Sequence, residues 1–257
     1  MSRPLLIVKL GGDAVASPAT IAAAADRIVA LRRTSEVVVV ASARRGVTDR
    51  LLELAQAVAS SDDGVPPLPA RGTVARDRAI ASGEIVAASL VAIALAARGH
   101  SAEALDARQA GIRGAGAPGA ARIRRVATGP IRRRLQAGVI PVVAGFQVAD
   151  RGQLRVLARG GSDVTAVALA AALVADEVLL FKQWGLRHAD PRVAPTAAHV
   201  GYGDYALLRA LVADGAPVLH HDALRLAERH AVPLAFVPFP DAGPVSRIAP
   251  TPIARAA

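Results

Sequence analysis

The sequence predicts an α/β protein with a doubly wound, mainly parallel sheet sandwiched by helices. Short apolar runs rich in β-branched residues alternate along the chain with longer helical patterns. Aromatic residues make up only 3% of the 257 residues, so the core must consist mainly of Val, Leu, Ile and Ala, which suit helices packed on a parallel sheet. Because strands and helices alternate, we expect parallel pairing through right-handed crossovers. Residues 1–257 are expected to form a single domain.

The predicted strands are the apolar runs Leu5–Lys9, Glu36–Ala41, Val139–Ala144, Glu177–Phe181, Ala216–His220 and Val232–Pro238. The predicted helices are Ala19–Arg33, Asp49–Ser60, Arg76–Arg98, Pro130–Ala137, Ser162–Ala175, Tyr202–Asp214 and Asp222–His230. Two segments, Asp62–Gly72 and Gly111–Gly119, interrupt this alternation with clusters of proline, glycine and alanine. Such clusters separate regular elements, so both segments are predicted to be surface loops.

The chain is basic, with 31 Lys+Arg against 21 Asp+Glu and a formal net charge of +10. A polyanionic partner therefore has to be considered. The densest basic runs, Arg122–Arg125 and Arg132–Arg134, fit exposed faces around a helix, either as a solvated surface or as a contact for an acidic partner protein or a phosphate-rich ligand. Aromatic residues are not interleaved with these arginines, which argues against nucleic acid as the partner.

The absence of cysteine excludes disulfides and thiolate metal sites. The N-terminal apolar run is far shorter than the ~20 residues of a membrane span, and no signal peptide is visible. We therefore expect a cytoplasmic protein without a membrane contact. The histidines His188, His199, His220, His221 and His230 lack the spacing of a helical metal site, and no metal site is predicted.

Two glycines, Gly11 and Gly12, follow Lys9 at the end of the first predicted strand. Ligands of open α/β sheets bind at this edge, where glycine lets backbone N–H groups approach phosphate oxygens and a lysine adds a point charge. The same pattern also occurs as an ordinary strand-to-helix turn, and it does not match the Walker spacing. The motif alone leaves both interpretations open.

A stronger signal lies before the alanine-rich helix, where the sequence runs Arg159-Gly-Gly-Ser162-Asp163. Ser162 or Asp163 fits a plain N-cap. A helix N-terminus also favours anions, and Arg159 beside it can hold a carboxylate or phosphate through two hydrogen bonds. In a catalytic role, Asp163 would orient a lysine or a metal.

Two further polar segments join this edge. Ser42 and Thr48 lie in the segment after the second strand, in the same order of strand, loop and helix. Glu84 lies within an apolar helical pattern. A glutamate there most often faces water, but a glutamate that faces the cleft can accept a hydrogen bond from a substrate ammonium.

Taken together, seven motifs in this order resemble the catalytic domain of aspartate kinase, in the amino-acid kinase family. They are Lys9–Gly12, Ser42–Asp49, Gly83-Glu84, Gln109–Ile112, Ala144–Gln147, Arg159–Ala166 and Ala189–Arg192. The resemblance spans almost the whole chain and implies the amino-acid kinase fold, a homodimer, and ATP with Mg²⁺ as cofactors. The sequence ends shortly after the segment that leads into the regulatory domains of that family, so the usual feedback inhibition is not expected.

The resemblance also assigns roles to individual residues. Lys9 and Asp163 correspond to the catalytic pair, in which the lysine neutralises the transferring phosphoryl group and the aspartate orients the lysine. The residues expected to bind the amino-acid substrate are Ser42, Thr48, Glu84, Phe146, Arg159 and Ser162. The residues expected beside the nucleotide are Gly11, Gly12, Lys182, Trp184, Gly185 and Arg192.

The nucleotide half departs from the family pattern. Relatives carry Thr-Asp-Val-Asp-Gly where this chain has Phe181–Gly185, so Lys182 and Trp184 replace two acidic residues. Pro217 replaces a phosphate-binding lysine, and Asp13 replaces a threonine and adds repulsion of ~4 kcal/mol beside the phosphates at an effective dielectric of ~20. Trp184 would either plug the nucleotide site or stack on a base.

Two functions follow from these expectations. The first is a kinase that uses ATP to activate the side-chain carboxylate of aspartate or a close analogue. The alternative is an aspartate-binding protein that has lost kinase activity and serves a different aspartate-dependent reaction or a partner enzyme.

Overall fold

A computed structural model of the chain describes residues 3–59, 73–158, 160–189, 193–194, 196–214 and 218–250. The predicted loop Asp62–Gly72 and three residues of interest, Arg159, Arg192 and Pro217, lie outside the described residues.

The described residues contain seven helices and twelve strands. The helices are α1 (Pro18–Arg32), α2 (Val47–Ala59), α3 (Val74–Ala96), α4 (Gly129–Gln136), α5 (Gly161–Leu173), α6 (Tyr205–Ala213) and α7 (His221–Arg229). The strands are β1 (Leu5–Leu10), β2 (Glu36–Ala41), β3 (Ala102–Leu105), β4 (Ile112–Ala115), β5 (Arg122–Val126), β6 (Ile140–Ala144), β7 (Gln147–Asp150), β8 (Gln153–Val156), β9 (Glu177–Lys182), β10 (Tyr202–Gly203), β11 (Leu234–Pro238) and β12 (Ser246–Ile248).

The main sheet has eight strands in the order β10-β12-β11-β9-β1-β2-β6-β3. All neighbours pair in parallel except β11 and β12. On one side of β1 the sheet continues with β2, which follows β1 in the chain. On the other side it continues with β9 and β11, which come later in the chain. The strand order therefore reverses at β1, and open α/β sheets bind ligands at the carboxyl end of such a point.

Helices cover both faces of this sheet. Side chains alternate along β1, so Ile7 packs into one core and Val8 into the other. The core that contains Val8 includes Ile28 of α1 and Val91 of α3, whereas the core that contains Ile7 includes Leu169 of α5. The predicted class, a mainly parallel sheet sandwiched by helices, is confirmed.

Helix α3 is long and apolar enough to cross a bilayer, judged by length and composition alone, but half of its most apolar stretch is buried inside the protein. It packs against α1 and against the strands β2, β3 and β6. We interpret it as a core helix.

A second sheet was not predicted. Its four strands lie in the order β5-β4-β7-β8. They are short and contain arginine, glycine and glutamine, so the apolar alternation that marks a strand is weak. The predicted loop Gly111–Gly119 is wrong because β4 lies within it, and the basic run Arg122–Arg125 lies on β5 rather than on a helix.

One predicted strand is also wrong in the part that the structure describes. Val218–His220, the described end of the predicted strand Ala216–His220, forms a turn before α7. On a strand, the side chains of His220 and His221 would point in opposite directions. Their ring centroids instead lie 4.1 Å from each other. With Asp222 they bring three ligand atoms within 4.8 Å.

Candidate functional site

The predicted site residues converge at the carboxyl ends of adjacent strands. Lys9 lies on β1 and Lys182 on β9, and Leu10 of β1 pairs with Phe181 of β9. Ser42 follows β2 directly, and its N–H donates to the carbonyl of Leu10. Parallel strands end at the same edge, so the topology alone brings these segments together.

The centre of the site is a carboxylate held by two lysines. Lys9 Nζ lies 2.7 Å from Asp163 Oδ1, and Lys182 Nζ lies 3.5 Å from Asp163 Oδ2. Lys9 and Asp163 are buried, whereas 24% of the Lys182 side chain is exposed. The predicted pairing of Lys9 with Asp163 is present, and Lys182 joins it.

Two opposing effects act on the pKa of Asp163. Burial alone would raise it, but the charges of Lys182 and Lys9 outweigh burial and lower the pKa to about 2. Burial lowers the pKa of Lys182, and Asp163 opposes that shift. Since two cations share one carboxylate, the cluster has a net positive charge and attracts an anion.

A cavity of about 420 Å³ opens on one side of this cluster. The described substrate-site residues that line it are Ser42, Thr48, Glu84, Phe146 and Ser162, together with Lys9 and Asp163. The structure therefore brings together the whole predicted amino-acid pocket except Arg159, which lies outside the described residues. Glu84 is 3% exposed, so the expectation of a solvated glutamate does not hold.

Glu84 has one satisfied and one free oxygen. The N–H of Ala43 donates to Oε1 over 3.3 Å, and Oε2 has no partner among the described residues. Burial raises the pKa of Glu84 from 4.5 to about 7, partly opposed by the Ala43 hydrogen bond. A buried carboxylate with a free oxygen that lines a cavity is suited to a cationic group such as an ammonium.

Backbone geometry supports the pocket at two points. Gly160 has φ +82° at the start of α5, and a Cβ there would lie 2.3 Å from Cγ of His220, so the turn requires glycine. Phe146 has φ 65°, which is uncommon for a residue with a side chain and often marks a functional site. Its N–H donates to Oγ1 of Thr165 over 3.2 Å, which fixes this conformation.

A second cavity, of about 440 Å³, opens on the other side of the lysines. Its described lining includes five of the predicted nucleotide residues, namely Gly11, Gly12, Lys182, Trp184 and Gly185. The sixth, Arg192, lies outside the described residues. Trp184 is 36% exposed, so its indole is not sealed into the core. Lys9 lines both cavities and thereby joins them.

The predicted repulsion from Asp13 is corrected by the structure. Arg45 contacts both carboxylate oxygens of Asp13, with Nε 2.7 Å from Oδ1 and Nη2 2.9 Å from Oδ2. Both side chains are more than half exposed, at 75% and 52%, so solvent and the guanidinium together weaken the field of this carboxylate. This pair could not be predicted from the sequence, because thirty-two positions separate its members.

The donor set does not suit Mg²⁺, a cation that binds proteins through carboxylate oxygens. Two lysines hold Asp163, and Arg45 holds Asp13, which is the carboxylate among the described residues that line the second cavity. A nucleotide fits the same cavity better, since cations and backbone glycines there suit phosphate oxygens.

Sequence analysis missed Arg76 in the first cavity. Arg76, Ile80 and Glu84 are spaced four residues apart on α3, and all three line that cavity. This spacing places them on one face of a helix, and it was the signal that could have identified Arg76.

The fold and the site define an α/β domain with two ligand cavities joined at a buried lysine–aspartate pair. The chain belongs to the amino acid kinase family, whose family model matches residues 4–237. The aspartokinase of Geobacillus stearothermophilus is 37% identical over 233 residues, which is 90% of this chain and 55% of that protein. The aspartokinase of Mycolicibacterium smegmatis is 38% identical over 234 residues, 90% of this chain and 53% of that protein.

Among solved structures, E. coli aspartokinase III in complex with aspartate and ADP superimposes with a TM-score of 0.82 at 23% identity, covering 96% of this chain and 65% of that chain. This likeness confirms the fold. The predicted resemblance to the aspartate kinase catalytic domain is confirmed by the sequence relatives. The chain spans about half the length of the curated relatives it matches.

Proposed function

We propose that this protein transfers a phosphoryl group from ATP to the side-chain carboxylate of aspartate or a close analogue. One observation carries the proposal: Lys9 lines both cavities and is held by Asp163. A phosphoryl group that moves from a donor in one cavity to an acceptor in the other would pass the lysine ammonium.

The amino-acid cavity supplies groups that suit an amino acid. Glu84 lines this cavity with a carboxylate whose Oε2 has no partner among the described residues, and we expect it to pair with the substrate ammonium. Ser42, directly after β2, and Thr48, in the first turn of α2, line the same cavity and carry hydroxyl groups. The acceptor carboxylate of aspartate is ionised near neutral pH, so it attacks the phosphorus without a general base. The new bond joins a carboxylate oxygen to phosphorus, and the bond from phosphorus to the oxygen that bridges to ADP breaks.

Positive charge from two lysines would stabilise the transferring phosphoryl group. Phosphoryl transfer depends mainly on positioning and on neutralising charge at the phosphoryl oxygens. Lys9 and Lys182 place two ammonium groups around Asp163, where Lys9 lines both cavities and Lys182 lines the second. The carboxylate fixes the lysines and leaves one net positive charge for the phosphoryl group.

A second candidate is an aspartate-binding protein without kinase activity. It is favoured by Lys182 and Trp184, which line the second cavity at positions where the aspartate kinase pattern of the resemblance has acidic residues. Without those acidic residues, ATP would have to bind through a rebuilt set of contacts. The described lining of the first cavity includes Ser42, Thr48, Glu84 and Phe146, all of which the resemblance assigns to the amino-acid substrate.

Separate calorimetric titrations with aspartate and with Mg-ATP test the two candidates. The kinase proposal expects both ligands to bind and expects the mixture to release ADP. Binding of aspartate without binding of Mg-ATP would favour the second candidate and eliminate the first. If neither ligand binds, both candidates are wrong.

Lys182 offers a sharper test of the rebuilt nucleotide site. If its ammonium contacts the phosphates, Lys182→Met should raise KM for ATP roughly 10-fold to 100-fold, since a hydrogen bond to a charged group contributes about 1.5–3 kcal/mol. The KM for aspartate should change little. Steady-state kinetics with each substrate varied in turn would measure both values.

The matched control for this variant is Arg50→Met, which removes one positive charge from an exposed position whose partner is Glu53. It should leave both KM values unchanged. An unchanged KM for ATP in Lys182→Met would show that Lys182 only supports Asp163.

A further inference from the structure

A third cavity lies away from the two that meet at Lys9. It is a groove of about 590 Å³ between β5, α5 and α7. Its described lining includes five arginines, namely Arg122, Arg124, Arg125, Arg225 and Arg229. We call this the arginine groove.

The positive charge of the arginine groove is largely uncompensated. Asp222 is the carboxylate among its described lining residues, and it pairs with Arg225 over 2.5 Å. Within the described part of the chain, no side-chain hydrogen bond or ion pair occupies Arg122, Arg124, Arg125 or Arg229. Unpaired guanidinium groups on two facing elements make this groove complementary to a negatively charged ligand.

The floor of the arginine groove is apolar. Val164, Ala168, Ala171 and Ala172 of α5 line it with small side chains, and Leu226 of α7 adds a larger one. Aromatic side chains, on which nucleic acid bases would stack, are absent from the described lining except for the imidazoles of His220 and His230. A ligand that fits has both acidic and apolar groups, as a protein segment has.

One wall of the arginine groove is a sheet edge. Strand β5 is the terminal strand of the four-stranded sheet and pairs with β4 over Arg122–Val126, while Ala121, just before it, is bridged to Leu157 after β8. The edge offered to a ligand is therefore that of Arg122–Val126. The outer edge of such a strand can accept another strand, which gains backbone hydrogen bonds. Along an added strand, side chains alternate, so one set can face α5 while the other faces the arginines.

We propose that the arginine groove binds an extended acidic segment of a partner protein, added as a strand to the edge of β5. Apolar residues at every second position of that segment rest on α5. Glutamate or aspartate residues between them pair with Arg122, Arg124 and Arg229. The proposal gives a location to part of the arginine excess, and it does not depend on which reaction the chain performs.

Fluorescence anisotropy with a short labelled peptide of alternating Glu and Val tests this proposal. The peptide should bind wild-type protein, and affinity should fall as salt concentration rises, because exposed charges are screened. A peptide of alternating Glu and Ser should bind more weakly, since it lacks the apolar set for α5. Arg124→Glu/Arg229→Glu should weaken binding by at least ~10-fold, because it places like charges against the peptide.

Arg78→Glu/Arg151→Glu is the matched control, since both arginines are exposed, lie outside the groove and undergo the same change of charge. It should bind the Glu-Val peptide as wild type does. Thermal unfolding would check that both variants fold, and Arg124→Gln/Arg229→Gln replaces the first variant if the charge reversal unfolds the protein. Gln should also weaken binding.

Several results would overturn the proposal. An equal loss of peptide affinity in both double variants would mean that binding depends only on the net charge of the protein. No binding to wild type would mean that the arginines merely protect the edge of β5. Tighter binding of single-stranded DNA, lost in the groove variant, would assign the groove to nucleic acid. Self-association lost in that variant would assign it to a second copy of this chain.

Discussion

Under the proposed function, Lys9→Met should lower phosphoryl transfer by roughly 10²-fold to 10³-fold, the loss expected when one group that stabilises developing negative charge is removed. Lys9 is the side chain that lines both cavities and contacts Asp163 over 2.7 Å. Methionine is unbranched like lysine and one atom shorter, so it keeps most of the side chain and removes the ammonium. A coupled assay for ADP release at saturating substrates would measure the change in kcat.

The same variant should also lose stability. Asp163 is buried, and without Lys9 its remaining partner is Lys182, 3.5 Å away. Removal of Lys9 leaves the buried charge of Asp163 poorly compensated, so we expect the free energy of unfolding to fall by about 1–3 kcal/mol. A carboxylate without a second lysine would lose more. A drop in activity could then reflect unfolding rather than chemistry.

The double variant Lys9→Met/Asp163→Asn separates the two effects. It removes both members of the buried pair, so the free energy of unfolding should recover towards wild type while kcat stays low. Denaturant unfolding and the ADP assay on the same samples give both numbers. Activity restored together with stability would contradict a chemical role for Lys9.

Glu84→Gln should stabilise the protein at pH 8 and have little effect at pH 5. The pKa of Glu84 is about 7 in the folded state against 4.5 for an ordinary glutamate. Its favourable contribution is therefore complete below pH 4.5 and is lost as pH rises through about 7. Above pH 7 the buried, ionised carboxylate therefore lowers the free energy of unfolding by about 3 kcal/mol. Glutamine removes this penalty because it carries no charge.

Thermal unfolding of both proteins between pH 5 and pH 8 would measure the difference. Glu53→Gln is the control, because it makes the same substitution at a glutamate that is 65% exposed and lies outside the described lining of both cavities. A difference in Tm between Glu84→Gln and wild type that stays constant with pH would mean that Glu84 does not titrate in this range. Under the proposed function, Glu84→Gln should also bind aspartate more weakly, since the ammonium loses its carboxylate.

The contacts of Lys9 and Lys182 with Asp163 were predictable from the sequence to different degrees. The pair of Lys9 and Asp163 was predicted from the resemblance to the aspartate kinase catalytic domain, and the strand and helix that carry these residues bring them together. Lys182 was expected beside the nucleotide, but its contact with Asp163 depends on the pairing of β9 with β1. The pairing of Asp13 with Arg45 likewise joins two loops that are distant in sequence.

The sequence by itself determined the alternation of strands and helices, the apolar composition of the core and the order of the site motifs. These features depend on local periodicity and on residue type, which a linear chain displays directly. Parallel strands ending at one edge then made convergence of the motifs predictable.

Apart from the predicted pair of Lys9 and Asp163, the tertiary structure decided which charges meet and which polar side chains are buried. Glu84 lies in an Ala-rich helix, where the sequence also fits a solvated glutamate. It is buried because α3 packs with this face against the rest of the protein. The second sheet, and with it the arginine groove, depends on strands too short and polar to display a period. Burial and ion pairing are properties of distances across the fold, so only the assembled structure could supply them.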